Sequence, residues 1–274
     1  MTRDHSGSSG TETEDDASIL IERRGTSLLL TLNRPHRLNA VTMPLYRQLV
    51  AALQEGEDDG EIRTVVLTGA GRAFSVGADL KAHGEAEVGP AQRKAYVEAG
   101  QEANRALQRC PLPVVAAVNG HAVGAGLELA LSADFLVVAE EARLRFPEAA
   151  LGTFVGGGVS WTLPRRVGLA RARELLLLAH FFTPAEAREM GLATRVLPSS
   201  QVLNAALELA GTLAARAPRS LALLKELLRD GVHAHPDTLM DREAHALLEC
   251  MGTRDWAEGV QAFAEKREPH FTGE

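Results

Sequence analysis

Cysteine is scarce in this 274-residue chain, which has only Cys110 and Cys250. Two thiols so far apart give no disulfide framework and no CxxC metal pattern, so a reducing cytoplasm is the expected compartment. Long hydrophobic runs are missing too. The longest, near Leu175 to Ala179, falls far short of the roughly 20 apolar residues of a membrane-spanning helix, so no membrane partner is expected. There is no excess of positive charge: 29 Lys and Arg stand against 36 Asp and Glu, a formal charge of -7. That balance repels nucleic acid and anionic surfaces, and no nucleic-acid partner is expected. The nine histidines form no ligand spacing with cysteines or carboxylates, so no metal site is expected. GAGLEL is no dinucleotide fingerprint, because Leu129 stands where GxGxxG needs its last glycine.

What is present is enough for a large core, with 45% hydrophobic and 24% charged residues. Residues 1–17, rich in Ser, Gly, Thr and acids, read as a disordered tail. β-Branched or leucine-rich runs at 28–32, 64–68, 114–118 and 135–139 predict buried strands. Helical spacing fills 45–55 and 91–108, an alternation that builds an α/β fold, either doubly wound or made of coiled ββα units. Thr183, Pro184 and Glu186 form a capping box that starts a helix ending at Gly191. A short strand at 193–197 follows. Helical periodicity then dominates 201–216, 220–229, 237–250 and 254–266, so an α/β core over 18–198 and a helical region over 199–274 are predicted.

Two glycine-rich turns follow predicted strands. VVLTGAGRAFSVGADL places Ser75, Gly77 and Ala78 after one, and VVAAVNGHAVGAGLELALSADF places Gly120, Gly124 and Gly126 after another, where a helix begins. Small residues let a ligand approach the backbone, and unpaired N–H groups at a helix start suit a developing oxyanion. Each cluster alone is equally well explained as a turn. Glu128 falls in the first turn of that helix, where an acid also complements the dipole. Glu148, in RFPEAALG, has apolar sequence neighbours in which an ionised carboxylate is costly, which favours a chemical role.

In order and spacing, LNRPHRLNA, AFSVGADL, NGHAVGAGLELALSADF, FPEAALG, FFTPAEAREMGLATRVLP and EGVQAFAEKR resemble the crotonase, or enoyl-CoA hydratase/isomerase, superfamily. The resemblance covers nearly everything from Leu28 to Phe271. It implies a crotonase-like spiral of ββα units with a helical C-terminal trimerisation region, assembled as a homotrimer or homohexamer. It also implies an acyl-CoA substrate with coenzyme A as part of the substrate and no separate cofactor. The backbone N–H groups of Ala78 and Ala125 match the oxyanion hole, and Arg37, Ala40, Lys81, Phe263 and Lys266 match CoA-contact positions. The basic residues among these are equally well read as solvated surface.

Hydratases of the superfamily usually carry both acids, at the positions of Glu128 and Glu148, which implies hydration of a 2-enoyl-CoA. Two carboxylates facing one water can position it and pass protons both ways if one is protonated while the other is not. The chain departs from the hydratase pattern at Val155 and over Val159, Ser160 and Trp161. Phe146, Val155 and Trp161 are the candidates for the acyl pocket, although an aromatic on an apolar helix is more often simple packing. Double-bond isomerisation and thioester hydrolysis or cleavage use the same oxyanion hole and stay open, as does a non-catalytic scaffold or RNA-binding member of the fold.

Overall fold

The computed structural model describes residues 17–79, 89–231 and 234–274. The expected tail therefore lies outside the described residues except for Ala17, whose carbonyl accepts from Asn33 Nδ2. Strands β1 (Ile19–Arg24) and β2 (Ser27–Leu32) form an antiparallel hairpin. β2 is almost wholly buried, as its leucine run requires, and pairs in parallel with β3 (Thr64–Gly69). Between them lies helix α1 (Met43–Asp58), capped by Thr42, which buries Leu45, Tyr46, Leu49 and Leu53 at helical spacing.

A ββα pattern then recurs. β3 is followed by β4 (Ala73–Ser75) and α2 (Pro90–Arg109); β5 (Val114–Val118) by β6 (His121–Val123) and α3 (Ala125–Leu131); and β7 (Phe135–Ala139) by β8 (Leu144–Arg145). The first strand of each pair joins a six-stranded sheet in the order β1-β2-β3-β5-β7-β9, where β9 is Arg195–Leu197. The second joins a three-stranded parallel sheet, β4-β6-β8. Two sheets fed alternately by one winding chain are a spiral of ββα units, which decides against the doubly wound alternative. The repeat is one of geometry, with no repeated sequence behind it.

Helices α4 (Val159–Val167), α5 (Leu169–Leu177) and α6 (Pro184–Glu189) precede β9, and the Thr183–Glu186 capping box forms at the start of α6. Of the C-terminal helices, α7 (Ser199–Ala214) lies across β3, β5 and β7 and buries Val202, Ala205, Ala206 and Ala210. Helices α8 (Pro218–Asp230) and α9 (Pro236–Met251) bury no residue fully. The terminal helix α10 (Arg254–Glu265) makes its main element contacts with α9.

Candidate functional site

Each strand of the small sheet ends by delivering one segment of the site. β4 runs into Gly77 and Ala78. Gly77 has φ +86, and a Cβ built there would lie 2.6 Å from Val123 O and 3.2 Å from Ala125 N, so the two glycine-rich turns touch backbone to backbone. Val41 N donates to Gly77 O at 2.8 Å and bridges to Ala78. β6 leads through Gly124 to Ala125, the first residue of α3. Among the described residues, neither the Ala78 nor the Ala125 N–H has a protein acceptor. β8 leads through Phe146 and Pro147 to Glu148, which opens the 3-10 turn Glu148–Leu151.

Glu128 stands in the first turn of α3, 4% exposed. Its carboxylate is held by another segment altogether: Gly156 N donates to Oε1 at 3.0 Å and Gly157 N to Oε2 at 2.8 Å. Burial pushes this carboxyl up to about 7; the two glycine N–H groups pull it down, and the charge of Glu148 pushes it further up. Glu128 is thus far from a simple helix-dipole partner.

Glu148 meets α3 from the other side. A Cβ on Gly124, at φ 53, would lie 2.8 Å from its Oε1, so the carboxyl rests against bare backbone beside Ala125. Its Oε2 is buried with no hydrogen-bond partner among the described residues. Burial raises its pKa as well, against lowering by its own backbone N–H and by Arg145. The source of that burial differs from the sequence expectation: Ala149, Ala150 and Leu151 are exposed, and Phe146 alone among the apolar neighbours is fully buried. Tertiary packing against the Gly124 turn supplies the shielding that the local sequence was expected to provide.

The remaining candidates are scattered. Val155 and Trp161 share a cavity of about 350 Å³ with Gly156 and Gly157, directly behind the loop that holds Glu128. Phe146 does not line it; that ring is 1% exposed and stacks on Phe182 at 6.3 Å in the core. Trp161 lies under the guanidinium of Arg165 at 4.0 Å. Arg37 is exposed in the turn Pro35–Arg37, and Ala40 is buried with its carbonyl accepting from Arg34 Nη1. Phe263, 87% exposed, stands near the end of α10 and Lys266 caps it, on a helix whose main element contacts are with α9. Lys81 lies outside the described residues.

Sequence reasoning missed the glycines that hold Glu128, for which the GGG run at 156–158 was the available signal. It also missed Tyr46 and Tyr96, whose rings lie 5.7 Å apart. Burial pushes the Tyr96 phenol up to about 12, with the charge of Glu128 adding to the effect. Spacing along the chain carries no sign of that cross-helix pair.

Comparison with known proteins gives a consistent match. The profile of the enoyl-CoA hydratase/isomerase family matches residues 22–274. A short-chain-enoyl-CoA hydratase of Clostridium acetobutylicum is 34% identical over 91% of this chain and 95% of its own. A 1,2-epoxyphenylacetyl-CoA isomerase of Escherichia coli is 36% identical over 90% and 95%. The crystal structure of an enoyl-CoA hydratase from Bacillus anthracis, 34% identical, superposes with a TM-score of 0.90 over 94% of this chain and all of that one. With the two-sheet ββα spiral and the paired glutamates already described, these similarities identify the chain as a member of the enoyl-CoA hydratase/isomerase family of the crotonase superfamily.

Proposed function

We propose that this protein is an enoyl-CoA hydratase that adds water across the 2,3 double bond of a 2-enoyl-CoA thioester. The observation that carries the reading is the pair of raised carboxyl groups, Glu128 and Glu148, beside two touching backbone turns whose Ala78 and Ala125 N–H groups have no acceptor among the described residues. The thioester oxygen accepts from those two groups, which hold the charge that develops as the enolate forms. Water lies between the carboxyls. Its oxygen adds to C3 while one of its protons passes to a carboxylate, and the protonated carboxyl gives a proton to C2. Glu148, with a buried oxygen that has no partner among the described residues, is the group that exchanges with C2; Glu128, both oxygens fixed by glycine N–H groups, orients the water. Coenzyme A enters and leaves as part of the substrate, and no separate cofactor takes part.

Arg37, Ala40 and Lys81 remain candidates for the CoA moiety, with Phe263 and Lys266 reaching a neighbouring subunit's ligand. Val155 and Trp161 remain candidates for shaping the acyl cavity. Assembly as a homotrimer or homohexamer is supported by the exposed apolar side chains of α8 to α10, among them Leu228, Leu248 and Phe263. A cytoplasmic location is supported by the two free thiols, and no helix among the described residues is long and apolar enough to cross a membrane.

Loss of the conjugated-thioester absorbance on mixing with a panel of 2-enoyl-CoA substrates tests the reading. Glu148→Gln should lower kcat by about 10²–10⁴-fold; unchanged turnover would sink the assignment. A second reading, double-bond isomerisation with one glutamate shuttling the proton, is favoured by the match to a family of enoyl-CoA hydratases and isomerases. It predicts conversion of 3-enoyl-CoA with no gain of mass.

A further inference from the structure

Asn39 has no exposed surface and sits at φ 56, in the left-handed region, directly after Leu38 at φ 51. Its side chain is fully used: Nδ2 donates to Ala70 O at 2.9 Å and Ala73 O at 2.8 Å, and Oδ1 accepts from Arg34 N at 2.9 Å. Its own carbonyl accepts from Ser75 Oγ at 2.7 Å, and the same Oγ accepts from Gly77 N at 3.2 Å. Either side of it, Val76 N donates to Leu38 O at 3.2 Å and Val41 N to Gly77 O at 2.8 Å. Beyond that, Arg34 and Asp79 form an ion pair at 3.5 Å with both side chains nearly buried. The segment from Ala73 to Asp79, which presents Ala78, is therefore hung on the loop 34–41, with Asn39 at its centre.

Burying the polar side chain of an asparagine is costly unless its groups are matched, and here the matches end on Ala73 at the start of the Ala78 segment, on Ala70 just before it, and on Arg34. Asn119 offers a contrast. It ties the same β3–β4 turn through Gly69 N at 3.1 Å and Gly71 O at 2.9 Å, but its side chain stops short of β4, whereas the Asn39 side chain holds Ala73 O, the first residue of β4.

We propose that Asn39 is a positioning residue for the reaction: it fixes the Ala78 N–H beside that of Ala125, where the thioester oxygen gains charge. The proposal rests on the oxyanion-hole reading above and deepens it. Asn39 touches neither substrate nor glutamate and acts through the Ser75–Ala78 backbone.

The test compares Asn39→Gly, which keeps the left-handed backbone, with Ser75→Ala and the control Asn119→Gly. Four quantities are read: kcat, KM, melting temperature, and the red shift of cinnamoyl-CoA absorbance on binding, which reports polarisation of the thioester carbonyl. Asn39→Gly should lose about 10–100-fold in kcat with KM little changed, because an ångström of misplacement is felt in the transition state. Its red shift should shrink in step. Ser75→Ala should follow in the same direction with a smaller loss, and it decides the question if Asn39→Gly does not fold. Asn119→Gly should lower the melting temperature while keeping kcat and the red shift. Wild-type kcat and red shift in both Asn39→Gly and Ser75→Ala would overturn the proposal, as would Asn119→Gly losing kcat in proportion to its melting temperature. A wild type that shifts cinnamoyl-CoA but adds no water would contradict hydration alone, and the red shifts would still decide the role of Asn39; no shift in the wild type would overturn both.

Discussion

Glu128 and Glu148 show how two identical side chains acquire different environments from their surroundings. Both are raised by burial, yet one carboxyl is fixed at both oxygens and the other keeps an oxygen with no partner among the described residues. A folded carboxyl at about 7, against the ordinary 4.5, keeps its proton over a range where the unfolded chain has lost it. Stability from this group is therefore full at low pH and declines as pH rises through about 7, by a total on the order of 3 kcal/mol. Glu128→Gln cannot ionise. It starts with one glycine N–H facing an amide N–H, but its melting temperature should fall less than that of the wild type between pH 5 and pH 8 in a thermal scan. Parallel pH profiles for the two proteins would contradict the raised carboxyl. Gly124→Ala tests the contact with Glu148: the new Cβ falls 2.8 Å from Oε1 at a φ of 53. Steady-state kinetics should show a large fall in kcat with acyl-CoA binding retained, and denaturant unfolding a loss of at least about 1 kcal/mol.

Among the elements, the small parallel sheet does most to build the site, and it was the least legible in the sequence. β4, β6 and β8 span three, three and two residues, too few for alternation to register, whereas β2, β3, β5 and β7 are five or six residues with buried, mostly apolar runs. β1 escaped notice because Glu22, Arg23 and Arg24 leave it with one buried residue. The glycine turns were legible as close-packed bare backbone, and Glu128 and Glu148 as the acids beside them. What holds Glu128 was not, since its donors lie 28 and 29 positions away. That loop also yields a prediction. A Cβ on Gly157 would fall 2.7 Å from the buried Asn104 side chain on α2. Gly157→Ala should push the loop off α2 and weaken the 2.8 Å bond to Oε2. With a lowering donor lost, the limb of the kcat/KM pH profile that reports Glu128 should move to higher pH; an unmoved limb would mean that the loop does not set the carboxyl.

At the scale of the whole molecule, the chain separates a buried spiral core from helices that it cannot cover by itself. α8 and α9 leave Leu228 at 74% and Leu248 at 69% exposure, and Phe263 on α10 is 87% exposed. Faces of this kind in a chain of charge -7 are stable in water when copies pack together. Light scattering should find three or six chains, and the double substitution Leu228→Glu and Leu248→Glu should shift the protein toward single chains. A wild type that scatters as one chain would contradict assembly through these helices. The chemistry itself is tested most directly by turnover of a 2-enoyl-CoA in H₂¹⁸O, with mass analysis of the product. Hydration predicts one solvent oxygen in the 3-hydroxyacyl product, incorporated about 10²–10⁴-fold more slowly when Glu148 is replaced by Gln; a product formed without solvent oxygen, or labelling at an undiminished rate after the substitution, would contradict it.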